Sequence, residues 1–161
     1  MKMNKNCLIK ISGDLVEGDK LNSNLIHHLI QLTSIKRYHV VIAVGGGSQI
    51  NKAFLEAGLP IGKFGPFGRE TNTLHERQMA RDILEVNQAK MQDLLQKDNI
   101  SAEVVIPVIT SGSVLCHVNG DQYVFSVYNG FEKIYIATLE SRVEDKKEQF
   151  KKYPKIEIIG F

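Results

Sequence analysis

Apolar positions along the chain fall into short β-branched runs separated by helical stripes. Cys7-Leu8-Ile9-Lys10-Ile11 is an apolar run with one lysine inside it. Ser12-Gly13-Asp14 stops it, which predicts a buried strand closing in a turn. Leu21, Leu25, Ile26, Leu29 and Leu32 recur at helical spacing, predicting a helix over 21–32. His39 to Val44 is β-branched and predicts a second, central strand that runs straight into Gly45-Gly46-Gly47. Ser48 stands where a helix cap is wanted, and the pattern from Ile50 to Ala57 is helical up to a terminating Gly58. Strand, glycine turn and helix together make the βα unit of a parallel sheet.

Residues 58–70 are rich in Gly and Pro and read as a loop. Thr73-Leu74-His75-Glu76 has capping-box spacing and opens a helix expected over 73–97. Its stripe of Met79, Ile83, Val86, Met91 and Leu94 reads first as core packing. Such a helix would be about 35 Å long, enough to serve also as a homodimer face. Glu103 to Ile109 predicts a third strand, with Pro107 marking an edge or an end. Ser113 to Tyr128 reads two ways. Asn119-Gly120 can turn a hairpin between 114–118 and 122–125, or a helix can start at Asp121, capped by its carboxylate, and stop at Asn129-Gly130. Phe131 to Thr138 predicts a fourth strand, Glu144 to Lys152 a charged helix, and Ile156 to Ile159 a last strand. The alternation suggests one α/β domain over 1–161 with a mainly parallel sheet between helical layers.

Composition narrows the partners. The chain has 161 residues, 43% hydrophobic and 24% charged, so it can bury a core without disulfides. A net charge of +2 supplies no broad positive field, and nucleic acid is not expected as a partner. Cys7 and Cys116 belong to no CxxC pair, and each reads as a small buried hydrophobe. His27 and His28 are adjacent, and His75-Glu76 lacks the second histidine of HExxH, so no metal site is expected. Lys146, Lys147, Lys151 and Lys152 alternate with acids as a solvated helix face does. The N-terminus has no signal-peptide pattern and no run is long enough for a membrane helix, so a cytoplasmic protein without a membrane partner is expected.

Three features carry chemistry. Gly45-Gly46-Gly47 would let backbone approach a ligand, with the next helix aiming N–H groups at an anion; the bland alternative is a tight turn. No GxxxxGK[ST] loop is present. Lys10, near the end of an apolar strand, would point into the crevice where α/β sheets bind ligands, or else snorkel to water at an edge. Arg69 could grip a carboxylate or phosphate, or pair with Glu70 at the surface.

In their order, these segments resemble the amino acid kinase family, which includes acetylglutamate, aspartate and uridylate kinases. Leu8 to Asp14 is similar to its opening strand with Lys-x-Ser/Gly-Gly, and Val40 to Asn51 to its glycine motif. Gly68-Arg69-Glu70-Thr71 resembles its arginine motif, and Val86-Asn87-Gln88-Ala89-Lys90 a run within its long helix. His117-Val118-Asn119-Gly120-Asp121 resembles Asn-x-Asn-Ala-Asp, and Ile134 to Thr138 the strand before the nucleotide loop. The resemblance implies an amino acid kinase-like αβα sandwich that transfers phosphate from ATP, with Mg²⁺, to a small carboxylate or phosphate acceptor. It implies that Lys10 stabilises the phosphoryl group and that Asp121 orients the catalytic lysines. Gly13, Gly45, Gly46, Gly47, Arg69 and Asn119 would bind the small anionic metabolite. Asp121 opens a helix in the family, which favours the helical alternative for that segment. Three departures stand out: Leu139-Glu140-Ser141-Arg142 replaces a glycine-containing nucleotide loop, His117 replaces an asparagine, and the family's second catalytic lysine would fall beyond Phe161. The alternative expectation is a catalytically silent relative that binds a small anion as a sensor or as a subunit of a complex.

Overall fold

A computed structural model describes residues 5–17, 23–35 and 38–161. Among these residues five parallel strands form the central sheet: β1 (Lys5–Ile11), β2 (Tyr38–Val44), β5 (Glu103–Val105), β8 (Lys133–Thr138) and β9 (Ile156–Gly160). Their order across the sheet is β5-β2-β1-β8-β9. Among the described residues five α-helices accompany it: α1 (Ser23–Ile30), α2 (Gly47–Glu56), α3 (Leu74–Lys97), α4 (Gly120–Val127) and α5 (Val143–Phe150). The described residues also form two small hairpins, β3 (Lys63–Gly65) with β4 (Gly68–Glu70), and β6 (Val108–Ser111) with β7 (Val114–His117). The expected α/β class and the flanked parallel sheet are both present.

Strand alternation sorts β1 between two layers. Cys7, Ile9 and Ile11 pack with Leu25 and Leu29 of α1 and Met91 and Leu95 of α3. Leu8 faces the other way, with Val124 of α4 and Phe150 of α5. A strand buried on both faces is apolar throughout, so the apolar run around Lys10 is the mark of the central strand. Each fully buried Leu, Ile or Phe contributes roughly 1.5–3 kcal/mol of transfer free energy. The period of two puts Lys10 on the same face as Leu8, toward α4 and α5.

Several expected boundaries move. Leu21 lies outside the described residues, and α1 continues past Ile30 as one π turn over Gln31–Ile35. The third strand stops at Val105, because Pro107 cannot donate to the sheet and the chain leaves to form β6. The 58–70 loop contains the β3–β4 hairpin. A hairpin does form near 113–129, but its two-residue turn is Gly112-Ser113 and its partners are β6 and β7. Asn119-Gly120 starts α4 instead, with Asn119 as cap: its Oδ1 accepts from Gln122 N at 2.8 Å. Asp121 is therefore inside the first turn and is not the cap. Ser48 is not a cap either, since α2 begins at Gly47 after Gly46. The α3 cap is as expected, with Thr73 Oγ1 accepting from Glu76 N at 3.1 Å. Glu76 reaches back one residue further than a capping box requires, accepting from Asn72 N at 2.6 Å. Among the described residues no helix is long and apolar enough to cross a membrane.

Candidate functional site

The order in which strands join the sheet reverses at β1: β2 and β5 lie on one side of it, β8 and β9 on the other. Loops leaving the carboxyl ends of strands on either side of such a switch point diverge, and a crevice opens between them. A cavity of about 370 Å³ occupies this position. Lys10, Gly13, Gly45, Gly46, Gly47, Arg69, Asn119 and Asp121, taken from four separate stretches of the chain, all line it.

Lys10 is only 8% exposed. Its Nζ donates to Ser12 Oγ at 3.2 Å and stands 3.6 Å from Asp121 Oδ1, an ion pair beyond hydrogen-bond length. The other carboxylate oxygen, Oδ2, accepts from Lys146 Nζ, brought in by α5. Asp121 thus holds two ammonium groups. The expectation of a wholly solvated lysine face on α5 fails at Lys146, whose side chain is 20% exposed. One turn of helix separates it from Phe150, and burial of Phe150 against α4 turns Lys146 inward with it. A second lysine therefore meets Asp121 from within the chain.

The glycine turn is tied down from two sides. Asn87, buried on α3, donates from Nδ2 to Gly45 O at 2.9 Å. Gly13 packs so close that a Cβ there would lie 2.7 Å from Gly46 Cα and 2.8 Å from Gly45 O, so no other residue fits. Gly46 is the α2 cap and, among the described residues, no side chain caps that helix end. Its first N–H groups have no partner within the helix, and they carry the positive end of its dipole. Ser48 instead donates to Asp14 Oδ1 at 2.6 Å, and Asp14 Oδ2 accepts from Arg142 Nη1 at 2.9 Å.

Arg69 is buried and forms the opposite wall. Nη1 donates to Ile61 O, and Nη2 donates to Asn51 Oδ1 at 2.6 Å and to Gly47 O at 3.4 Å. Phe64 covers its guanidinium at 4.6 Å. Gly68, at φ +105°, passes so near the β7–α4 junction that a Cβ would lie 2.8 Å from Asn119 N. That close approach sets His117 within reach of the Arg69 charge. Among the described residues His117 Nδ1 has no hydrogen-bond partner.

The titration of these groups follows from their surroundings. Burial pushes the Lys10 pKa down, against the opposing pull of Asp121, and Lys146 and Arg142 lower it further. Burial opposes ionisation of Asp121, but Lys10 and Lys146 outweigh it and hold the carboxyl below its ordinary range. Burial and the Arg69 charge push His117 down to about 4, so the imidazole is neutral at pH 7.

No protein-family model and no curated protein matches the chain. What the site can do therefore rests on its own geometry. It offers two lysines sharing one carboxylate, a bare helix N-terminus and a neutral imidazole. Lys146 had no signal in the sequence, because charge interleaving looks the same whether or not one residue turns inward. Asp14 had one: it follows directly on the turn after the central strand.

Proposed function

We propose that the cavity binds phosphate-bearing anions and transfers the terminal phosphoryl group of ATP to a small acceptor. The observation that carries this is the Lys10–Asp121–Lys146 cluster beside the uncapped start of α2. Asp121 keeps two like charges together, and phosphate oxygens present a stronger counter-charge than one shared carboxylate. Phosphoryl transfer demands positioning and neutralisation of charge on the equatorial oxygens more than covalent chemistry. Lys10 and Lys146 would neutralise that charge, and the amides of Gly46 and Gly47 would orient the phosphate. Asp14 and Asp121 are both already ion-paired, and the described residues hold no cluster of three or more metal-ligating side chains. Mg²⁺ would accordingly enter on the oxygens of the nucleotide itself.

A second reading, anion binding without turnover as a sensor or as a subunit of a complex, draws on the turn after β8. After Leu139 it is a short 3₁₀ segment, Glu140–Arg142, without glycine, and Arg142 is committed to Asp14. Calorimetry separates the two. Under the kinase proposal MgATP binds, ADP appears when acceptors are supplied, and Lys10→Ala and Lys146→Ala each weaken nucleotide binding by about tenfold or more. Pyrophosphate binding with no ADP from any acceptor would favour the silent relative. No heat from either ligand at millimolar concentration would end both.

A further inference from the structure

We infer that Arg142 is the arginine that grips the phosphate, with its guanidinium aimed by Asp14, and that Arg69 is not. The inference rests on the phosphate-binding proposal above and names a further ligand of that phosphate.

Both arginines line the cavity, and their hydrogen bonds set them apart. A guanidinium grips an oxyanion through two adjacent nitrogens, either Nη1 with Nη2 or Nε with Nη2. Arg69 has neither pair free. Nη1 donates to Ile61 O, and Nη2 donates to Asn51 Oδ1 at 2.6 Å and to Gly47 O at 3.4 Å. The residue is buried, with Phe64 over its face. Arg69 pins the β3–β4 hairpin to the start of α2. Arg142 is the opposite case. Its side chain is 52% exposed. Among the described residues its guanidinium makes one hydrogen bond, from Nη1 to Asp14 Oδ2 at 2.9 Å. The Nε–Nη2 pair is open to a ligand. The bond to Asp14 aims the guanidinium without exhausting it.

Three contacts place Arg142 at the phosphate. Asp14 also accepts from Ser48 Oγ at 2.6 Å, and Ser48 is the second residue of α2. One carboxylate thus links Arg142 to the helix end whose first N–H groups have no partner within the helix. Behind it, Arg142 N donates to Leu139 O at 2.9 Å and Phe161 N to Thr138 O at 3.0 Å, which fixes the turn after β8. Ahead of it, Lys146 follows four residues later, on the same side of the start of α5. Like charges one turn apart repel. Here each is held by its own carboxylate, Arg142 by Asp14 and Lys146 by Asp121. Both charges reach Lys10, whose pKa they lower.

Charge and shape favour phosphate over carboxylate. Among the described residues four cations line the cavity, Lys10, Arg69, Arg142 and Lys146, against the carboxylates of Asp14 and Asp121. Two positive charges are left over. A terminal phosphate carries close to that charge, and it has three oxygens to share among Lys10, Lys146 and the Arg142 fork. A carboxylate brings one charge and two oxygens.

The test titrates the full chain with pyrophosphate and with malonate, by calorimetry at constant salt. Pyrophosphate should bind about tenfold or more tightly than malonate. Arg142→Gln should weaken pyrophosphate binding about tenfold, and Arg142→Lys should recover only part of that loss, because an ammonium keeps the charge and lacks the fork. A second readout uses the unaltered chain. The Nε–H proton resonance of Arg142, identified by its absence from the Arg142→Lys spectrum, should move downfield with pyrophosphate and hold its place with malonate. Unchanged affinity in Arg142→Gln, or an Nε–H resonance that does not move, overturns the inference and leaves a phosphate-binding cavity standing. Malonate bound as tightly as pyrophosphate, or full recovery in Arg142→Lys, overturns it as well. If pyrophosphate and MgATP both fail to bind, the phosphoryl-transfer proposal falls and this inference falls with it.

Discussion

Asp121 stands between two ammonium groups, and neutralising it does more than delete a bond. Lys10 and Lys146 would face each other with side chains 10% and 20% exposed and nothing between them. Removing one member of a buried charge cluster costs about 3 kcal/mol because the remaining charge is stranded. Asp121→Asn should lower stability by about that much in urea titrations. Adding Lys10→Met should recover part of the loss, and equal stability of Asp121→Asn and wild type would contradict the ion-pair account. The pH dependence has a definite sign. The folded pKa of Asp121 is depressed, so its stabilisation is full above the ordinary aspartate range and is lost as pH falls through the lower folded value. Lys10 is also lowered, by burial first. Turnover that needs its charge should fall on an alkaline limb below that of an exposed lysine. Asp121→Asn removes the influence that raises Lys10, so the Lys10 titration followed by NMR should move lower still.

Helix α3 plays two separable parts, and two substitutions tell them apart. Thr73 caps it away from the site, and Thr73→Ala should cost about 1 kcal/mol with nucleotide affinity unchanged. Asn87 holds the Gly45 carbonyl, and Asn87→Ala leaves a buried acceptor unsatisfied at about 2 kcal/mol. It should also weaken MgATP binding, because the glycine turn loses a tether; unchanged affinity would mean the turn holds its shape alone. Elements of this kind were readable from the chain wherever local chemistry decided them. The period of α3, its threonine cap, and the β2–glycine–α2 unit are all set within a few residues. The rest depended on contacts distant in sequence. Whether Asn119-Gly120 turned a hairpin or opened a helix was decided by Gly112-Ser113 taking the turn and by Asn119 finding Gln122 N. Ser48 lost its role as a cap to Asp14, thirty-four residues away, and the inward turn of Lys146 depended on Phe150 reaching α4.

At the scale of the whole molecule, the site is assembled across the sheet. The glycine turn belongs to β2 and α2 and is braced by α3, whereas Asp121 and Lys146 come from α4 and α5 on the other face. Lys10 on β1 is the link, since its side chain crosses toward the α4–α5 layer at the strand's end. The two halves therefore keep register only as well as each layer keeps its seat on the sheet. Phe150 seats α5: it is buried against Leu8 and Ile134 and stacks on Phe125 of α4 at 5.0 Å between centroids. Leu29 seats α1 in the opposite core, among Ile9, Val40 and Ile42. Truncating either to alanine should cost about 2–5 kcal/mol by transfer and cavity formation. Their effects on the site should differ. Phe150→Ala frees the helix carrying Lys146, so MgATP affinity should fall by about tenfold even at temperatures where the variant is fully folded. Leu29→Ala empties a core the cluster does not touch, on a helix that braces no part of the site, and its affinity should match wild type once folded. Calorimetry on both variants, with circular dichroism to establish that each is folded, reads the contrast. Equal losses of affinity would mean that the site senses global stability and not the seating of α5.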